Sequence, residues 1–485
     1  MWTFYVFAII MLLSLVFISV LTEETNMGAN TKNMAQSDAD VRNMSLFKLG
    51  WPIFVQSLLA MCLGYIDTIM LSNYSDNAVG GIGNANQIMG FLTLTFSIIS
   101  SATGVIVAQY IGAKIKDKLN EIYTVSVAFN LVISGVVSLI ILLGSSFIAK
   151  AMKIPSPMVP YAEDYMSIVG GFIFLEALFD TFSQIFRNNG KTQIGMFIAI
   201  GMNLTNIIGN YCFLYGPLKF LNLGVKGVAI STTGSKLFAV VVAIIYFIFK
   251  IDGTIALRYL KPFPKNTLLK LLKLGLPTAG ENISYNIAQL IILVFINSFN
   301  STVYTNTKIY CTMLSNFAYL FSISAAMATA IVVGQAVGAD DNEYAYGKVL
   351  STLRLSLLIS VCIAFVNFLV SPFTLSLFTS NSEVVSLGHK IMFICIFLEM
   401  GRTTNLVVIN SMRASGDVKF PTYLGMASMW GVSVLFGYLF GIVLNMGLTG
   451  IWIAMAMDEI LRGVVVFIRW IKGGWRGKSV VERTA

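Results

Sequence analysis

Long apolar stretches separated by short polar loops run through most of this chain. Twelve of them reach about 20 residues or more, the length at which an α-helix can cross a lipid bilayer. They lack the alternation of apolar and polar residues that a membrane-spanning β-barrel strand requires. The predicted helices cover approximately 49–71, 87–110, 122–144, 161–186, 193–216, 228–249, 275–299, 309–335, 349–371, 388–411, 420–443 and 448–470.

Short motifs repeat along the chain in one order and nearly one register. The sequence KLGWP at 48–52 returns as KLGLP at 273–277. Three further motifs, at 108–113, 187–190 and 221–227, recur at 334–339, 413–416 and 444–450. The interval of about 225 residues far exceeds that of a solenoid repeat. The chain is therefore predicted to contain two homologous halves of six helices, and because six is even, both enter the membrane from the same side as parallel repeats.

The duplication predicts the domain organisation of an all-α integral membrane protein. We expect an N-terminal lobe of six helices at 46–250, a cytoplasmic linker at 251–272, a C-terminal lobe of six helices at 273–472 and a basic cytoplasmic tail at 473–485. Residues 1–45 lie outside the duplication. Their apolar part, 1–21, lacks the basic n-region and small-residue cleavage site of a signal peptide, so we expect an extra helix followed by a polar tether. A misassigned start codon is the alternative explanation.

Composition supports the membrane assignment and gives the orientation. A chain that is 56% hydrophobic and 11% charged, with a mean hydropathy of +0.79, is not an ordinary soluble protein. Basic residues are retained on the cytoplasmic side, and 22 of the 32 Lys and Arg residues lie in predicted loops on the side of residue 48, against six in the opposite loops. The start of the first lobe and the C-terminus are therefore predicted to be cytoplasmic. Topology accounts for the net charge of +9, so we expect a monomer in the cell membrane with lipid, and no nucleic acid, around it.

Charged side chains inside the predicted helices are few, and each needs a partner, an aqueous cavity or a function. Asp67 lies well inside the first helix, with Gln56 on the same face about three turns earlier. Asn203, Asn206 and Asn210 form a stripe of amides on the fifth helix. Carboxylate and amide oxygens suit Na⁺, and a carboxylate can also take up a proton. Hydrogen bonding between packed helices is the structural alternative.

Most other embedded charges are spaced as local ion-pair networks. Glu176 and Asp180 are one turn apart, and Lys236 is a candidate counter-charge for them. Glu399 and Arg402 have the spacing of a salt bridge within one helix. A third group consists of Asp458, Glu459 and Arg462. We expect structural roles for all three groups.

Two further features are a polar face on the seventh predicted helix and a cluster of glycines. Glu281 shares a helix face with Tyr285 and Gln289, and these residues, together with Gln56, are candidates to line a substrate cavity. The glycine cluster at 80–83 does not match a phosphate-binding loop, so we expect a tight turn there.

Several of these motifs resemble a known family. The segments at 49–52, 65–70, 85–88 and 108–113 look like the first two core helices of multidrug and toxic compound extrusion (MATE) transporters. The segments at 224–229 and 413–417 are similar to further signatures of that family. The resemblance covers roughly residues 46–472 and leaves 1–45 outside.

The resemblance implies a fold and a function. It implies two six-helix lobes that form a V and open alternately to each side of the membrane. It also implies that the protein exports cationic amphipathic drugs in exchange for inward Na⁺ or H⁺, without any other cofactor. By position, Asp67 matches the acidic residue that binds the coupling cation. Asn206, Asn210 and Thr232 match polar residues of the fifth and sixth helices, so Na⁺ at Asp67, Asn206 and Asn210 is an expectation. Pro52 matches a proline at which the first helix is thought to bend.

The chain departs from the family pattern in its second half. One branch has a glutamate in the seventh helix deeper than Glu281, where this chain has Tyr285, and an aspartate where this chain has Arg402. Asn210 replaces a carboxylate found in some members. We therefore expect cation coupling in the N-terminal lobe, at Asp67.

Two other functions compete with cation-coupled drug antiport. A lipid-linked oligosaccharide flippase of the same superfamily would need a strongly cationic cavity for its pyrophosphate, whereas the embedded acids here outnumber the four embedded bases. A membrane hydrolase would need a motif such as His-Glu-x-x-His, and this chain has one histidine. Its five cysteines lie in apolar spans without a Cys-x-x-Cys pair. We expect a secondary active transporter with no catalytic residues.

Overall fold

The computed structural model of the protein describes residues 45–72, 74–152, 154–251 and 253–482. The predicted extra helix at 1–21 and its tether lie outside the described residues. Throughout the described ranges the regular structure is helical, with no strand. The prediction of an all-α fold is therefore confirmed.

The first half of the chain forms a bundle in which each predicted helix is present. Its α-helices are α1 Leu46–Ser72, α2 Asp76–Gly112, α3 Lys116–Ala151, α4 Val159–Tyr165, α5 Phe174–Asn188, α6 Thr192–Leu214 and α7 Val225–Lys250. A π-helical segment at Met166–Gly170 continues α4, and α4 and α5 together occupy the fourth predicted span.

The second half repeats this order. Its α-helices are α8 Lys265–Ser298, α9 Thr302–Gly338, α10 Asn342–Ser376, α11 Ser382–Ala414, α12 Lys419–Ser428, α13 Leu435–Tyr438 and α14 Gly447–Ile471. Two π-helical segments, Met429–Val434 and Leu439–Val443, join α12 and α13 into one continuous span, Lys419–Val443. The first turns of α8 fall within the segment for which a linker is predicted.

Most of these helices are long and apolar enough to cross a membrane. Within the described ranges ten meet that criterion, and an eleventh span is the pair Ser156–Gly170 and Phe174–Asn188, which is bent by 46°. Helix α14 carries Asp458, Glu459 and Arg462 and falls outside the count. The twelve predicted spans thus coincide with ten apolar helices, one bent pair and one charged helix.

Each lobe has a buried core of its own. In the N-terminal lobe the largest buried side chains include Tyr123, Phe182 and Phe247, whose rings contact one another edge to face. In the C-terminal lobe a separate cluster includes Trp470 and Trp475, with neither ring exposed. The first cluster also includes Leu271 and Leu274 of α8 and Val418, so the core of the N-terminal lobe continues into the second half of the chain.

The lobes meet at one end of the bundle, which we call the Leu46 end because α1 begins there; the opposite end, where α1 finishes, is the Ser72 end. A small apolar cluster joins them, in which Leu49 and Ile53 of α1 pack against Ala328, Ile331 and Val332 of α9. Helices α2 and α9 also cross close to this end. A Cβ at Gly112 would stand 1.9 Å from the Gln335 carbonyl oxygen, and one at Gly338 would stand 2.0 Å from the Gln109 carbonyl oxygen. Glycine at both positions allows this approach.

Two glutamines tie the crossing together by symmetric contacts. The Gln109 amide donates to the Ala414 carbonyl across 2.6 Å, and the Gln335 amide donates to the Asn188 carbonyl across 2.8 Å. Both glutamines are buried. The repeated motifs at 108–113 and 334–339 therefore mark the contact between the lobes.

The glycine cluster at 80–83 lies inside α2, so the prediction of a tight turn is wrong. A Cβ at Gly81 would stand 2.7 Å from the Met158 carbonyl oxygen and 2.9 Å from the Tyr161 Cβ. Gly80 and Gly81 therefore allow close packing of α2 against Met158 and the first turn of α4, and a helical backbone is compatible with that role.

Candidate functional site

Polar side chains from three helices of the N-terminal lobe form one hydrogen-bonded group. The Asn210 amide donates to the Asp67 carboxylate across 2.8 Å and to the Asn206 side-chain oxygen across 3.0 Å. The Asn206 amide in turn donates to the Thr232 hydroxyl oxygen across 3.1 Å. We call these four residues the Asp67 cluster. It connects α1 to α6 and α7.

The local sequence explains how the cluster assembles. Asn206 and Asn210 are four residues apart on α6, so their side chains lie on one face, and both are fully buried. The Thr232 hydroxyl donates to the Val228 carbonyl of its own helix, which leaves its oxygen free to accept from Asn206. Gly209 lets α7 come close, because a Cβ there would stand 2.2 Å from the Ser231 hydroxyl oxygen.

Helix α6 carries two buried amide oxygens, one of them in the cluster, that accept no hydrogen bond from the described residues. Among the described residues, the side-chain oxygens of Asn210 and Asn203 are buried and have no hydrogen-bond partner. A buried acceptor without a partner costs free energy of about 1–3 kcal/mol, which a bound cation would recover. The donor set of one carboxylate with amide and hydroxyl oxygens fits a hard cation such as Na⁺ or a proton on the carboxylate. No group of three or more His, Cys, Asp or Glu within the described ranges could hold a metal ion.

The ion pairs around the cluster involve the residues predicted for structural networks. Lys236 lies 3.0 Å from the Glu176 carboxylate, which joins α7 to α5. The positive charges of Arg187 and Lys236 act on the Asp180 carboxylate. Unlike Glu176, the Asp67 carboxylate receives its bond from a neutral amide.

Gln56 and Glu281, both predicted to line a cavity, each accept a bond from an arginine of their own lobe. Arg187, in the last turn of α5, donates to the Gln56 side-chain oxygen across 2.5 Å. Arg413, in the last turn of α11, forms a salt bridge of 2.5 Å with Glu281. The two pairs are equivalent in the duplication. The predicted helix limits place both arginines in loops. The repeated motifs at 187–190 and 413–416 are the sequence signal that the two arginines have equivalent partners.

The other cavity candidates lie on the inner face of α8. Tyr285 is 42% exposed and Gln289 is half-buried. The charges of Arg402 and Glu459, which belong to two other helices, act on the Tyr285 hydroxyl. The adjacent Ser284 accepts a bond of 2.8 Å from the Trp430 indole. Polar and aromatic groups of the C-terminal lobe therefore converge near Tyr285.

The C-terminal lobe holds two groups of ion pairs, one on α11 and one on α14. Arg402 bonds Glu399 across 2.6 Å, and Arg462 bonds Asp458 across 2.6 Å and Glu459 across 3.4 Å. The carboxylates of these groups therefore have guanidinium partners, unlike Asp67.

Pro52 is buried inside α1, which runs through it as one helix. Because proline has no N–H, the helix lacks one backbone hydrogen bond at this turn. Pro52 lies between Leu49 and Ile53, the two residues of α1 that contact α9, and Asp67 lies further along the helix. The weakest turn of α1 is therefore part of its lobe contact.

Comparison with known proteins agrees with the duplicated architecture. The sequence profile of the MatE family matches residues 52–212 and, a second time, 277–439. The first match includes Asp67, Asn206 and Asn210, whereas Thr232 lies between the two matches.

Relatives and solved structures cover nearly the whole chain. The uncharacterized transporter YisQ of Bacillus subtilis (strain 168) is 36% identical over 439 residues, which are 90% of this chain and 96% of that protein. The probable multidrug resistance protein NorM of Thermotoga maritima is 24% identical over 439 residues, which are 90% of this chain and 94% of that protein. A MOP superfamily transporter from Pyrococcus furiosus Vc1 superposes with a TM-score of 0.81 at 18% identity, covering 91% of this chain and 98% of the other. At that identity the likeness concerns the fold.

Proposed function

Since the chain belongs to the MATE family of membrane transporters, we propose that it is an antiporter that exports cationic amphipathic compounds in exchange for Na⁺ or H⁺. The observation that carries this proposal is the Asp67 cluster. It places a carboxylate of α1 against a buried amide with an unpartnered oxygen on α6.

The pairing of the embedded acids supports Asp67 as the cation site. Glu176, Glu281 and Glu399 each form a salt bridge with a Lys or Arg. Asp67 instead accepts a bond from Asn210, which carries no charge. Lys236 acts on Asp67 only at longer range, so a cation bound at Asp67 would supply a positive partner in direct contact with the carboxylate.

Helix α1 offers a route from cation binding to lobe movement. Its far part contributes Asp67 to the cluster, and its first turns contribute Leu49 and Ile53 to the contact with α9. A cation that draws Asp67 towards the oxygens of α6 changes the position of α1, and the turn at Pro52 is where the helix can bend most easily. The cation-loaded form would then have a different lobe contact and a different affinity for substrate, which is the thermodynamic requirement for exchange.

The orientation and location of the protein are also part of the proposal. The distribution of Lys and Arg supports a cytoplasmic Leu46 end and a cytoplasmic C-terminus in the cell membrane. Because each lobe has its own core and the two lobes contact one another, we propose that a monomer is the transporting unit. Labelling of Lys191→Cys in a cysteine-free background by an impermeant maleimide tests the orientation: it should require permeabilised cells.

Asp67→Asn is the central test. The variant should lose gradient-driven efflux of a fluorescent cationic dye from proteoliposomes, because the amide cannot balance a cation, while its yield and elution in detergent stay normal. Parallel assays with an imposed Na⁺ gradient and with an imposed pH gradient identify the coupling ion.

Asp164→Asn is the matched control. Asp164 belongs to the same lobe, is partly exposed and pairs with Lys226 across 3.5 Å instead of with a residue of the cluster, so the same chemical change should leave efflux intact. Full efflux by Asp67→Asn would refute the coupling role of Asp67. Absence of any gradient-driven dye efflux by the unmodified protein, combined with translocation of a lipid-linked oligosaccharide, would favour the flippase.

A further inference from the structure

The segment after α14 folds back onto the C-terminal lobe before it continues. Trp475 is fully buried and stacks on Trp470, with ring centroids 4.2 Å apart. Its indole N–H donates to the Trp470 carbonyl across 3.1 Å. Arg476 forms a salt bridge of 2.7 Å with Glu343 at the start of α10. The first part of the tail is thus anchored to the C-terminal lobe.

The next residues reach the N-terminal lobe at Gln109. The backbone N–H of Val480 and the hydroxyl of Ser479 both donate to the Gln109 side-chain oxygen, across 2.8 Å and 3.0 Å. The amide nitrogen of the same Gln109 donates to the Ala414 carbonyl of the other lobe. One fully buried side chain of α2 therefore joins α11 and the tail.

Further contacts hold the tail in this path. Val480 and Val481 pack against a core cluster that consists mainly of N-terminal-lobe residues and also includes Val418 of the other lobe. Glu482 lies 3.0 Å from Lys270, but its side chain is 67% exposed, so water screens this ion pair and the contacts at Gln109 contribute more. At Gly416, whose φ is +95°, a Cβ would stand 2.0 Å from the Lys478 carbonyl oxygen. The absence of a side chain there leaves room for the tail.

We propose that residues 478–482 act as a latch that stabilises the arrangement in which the lobes are joined at the Leu46 end, and that the latch is released when the lobes separate there. The inference rests on the proposed alternating-access function. The tail is anchored in one lobe by Trp475 and bonded to the other at Gln109. Opening of this end therefore has to break the hydrogen bonds to Gln109 or detach the tail from its anchor on the C-terminal lobe.

The test measures the distance between the lobes in the full-length protein. Spin labels at Lys191→Cys and Lys419→Cys, one exposed position in each lobe at the Leu46 end, report that distance in a background where the five native cysteines are alanine. Truncation after Gly477 should raise the fraction of the longer-distance population about fivefold, because several contacts specific to the joined arrangement are lost. The triple variant Ser479→Ala, Val480→Pro, Glu482→Gln, which keeps the chain length, should change the fraction in the same direction.

Two control variants should behave like the unmodified protein, and two results would contradict the proposals. Truncation after Glu482 and the substitution Lys472→Gln, an exposed charge before the latch, should leave the distance distribution unchanged. If the intact protein changes distance with cation or dye while truncation and triple variant leave the fractions unaltered, the latch is refuted and the transport proposal stands. If the intact protein shows one distance under every condition, alternating access itself is refuted.

Discussion

Asp67 differs from the salt-bridged embedded acids in the partner that holds it. The salt-bridged carboxylates are already balanced, so a further cation would gain little at them. Asp67 has an amide partner, and that amide has a buried oxygen without a partner of its own among the described residues. The Asp67 cluster therefore offers a cation a carboxylate without a salt bridge among the described residues, together with an amide oxygen that accepts no hydrogen bond.

Asn210→Ala should weaken cation binding without removing the carboxylate. The substitution deletes the donor to Asp67 and an oxygen that could contact a cation, so we expect the cation concentration for half-maximal dye release to rise about tenfold or more, on the order of 1–3 kcal/mol. Dye release from proteoliposomes at a series of cation concentrations measures this.

Asn286→Ala is its control, since the Asn286 amide donates to the Asn282 carbonyl of its own helix. An unchanged half-maximal concentration in Asn210→Ala would remove Asn210 from the site.

The Arg413 and Glu281 pair is a structural contact whose loss should destabilise the C-terminal lobe. Arg413→Met leaves the Glu281 carboxylate buried without its counter-charge, which costs about 3–5 kcal/mol. The charge-free double variant Arg413→Met, Glu281→Leu should recover much of that loss. Thermal unfolding in detergent, followed by fluorescence, measures both.

Lys118→Met provides the comparison, because it breaks an exposed pair with Glu121 and should change the free energy of unfolding by less than about 1 kcal/mol. Equal unfolding temperatures for Arg413→Met and the unmodified protein would show that the buried pair does not stabilise the lobe.

The crossing of α2 and α9 depends on glycine at the contact. Gly112→Ala places a Cβ 1.9 Å from a backbone oxygen of α9, and backbone cannot move aside as a side chain can. We expect a loss of stability of about 1–3 kcal/mol or more, together with reduced transport, as the helices are forced apart.

Gly135→Ala in α3 is the matched control, because nothing lies within 4 Å of a Cβ there. That variant should unfold at the same temperature as the unmodified protein or above it, since alanine favours helix. Normal stability and transport in Gly112→Ala would mean that the lobes do not need this close approach.

Regular helices were predicted more reliably than irregular ones. The long apolar stretches identified each span because their signal is local, and α1, for example, extends only a few residues beyond its predicted limits. The break between Gly170 and Phe174 and the π-helical turns at Met429–Val434 depend on packing against neighbouring helices. Composition and periodicity contain no sign of them.

The position of the lobe contact determines which movement transport requires. The apolar cluster, the glutamine pair and the tail all lie at the Leu46 end. Substrate release on that side therefore needs the lobes to separate there, and a covalent bond between them should prevent it.

A disulfide between Gly50→Cys and Ala328→Cys is suited to this test. A Cβ at Gly50 stands 3.5 Å from the Ala328 Cβ across the lobe boundary, within the range that a disulfide spans. Oxidation should arrest dye transport in proteoliposomes, and reduction should restore it.

Each single-cysteine variant, treated with the same oxidant in a background without the native cysteines, should continue to transport. Undiminished transport by the fully cross-linked double variant would show that the lobes need not part at this end.

The linear chain determined the helix number, the duplication, the family and the membrane class, because each depends on the length of apolar runs or on motif spacing. It also indicated the members of the Asp67 cluster, through their resemblance to family positions. Only the folded chain showed that Arg187 and Arg413 bond Gln56 and Glu281, and that Ser479 and Val480 of the tail bond to Gln109. Those partners are far apart in sequence, so their meeting depends on how helices pack and on which groups remain unpaired once buried. A pattern read along one helix carries no information about that choice.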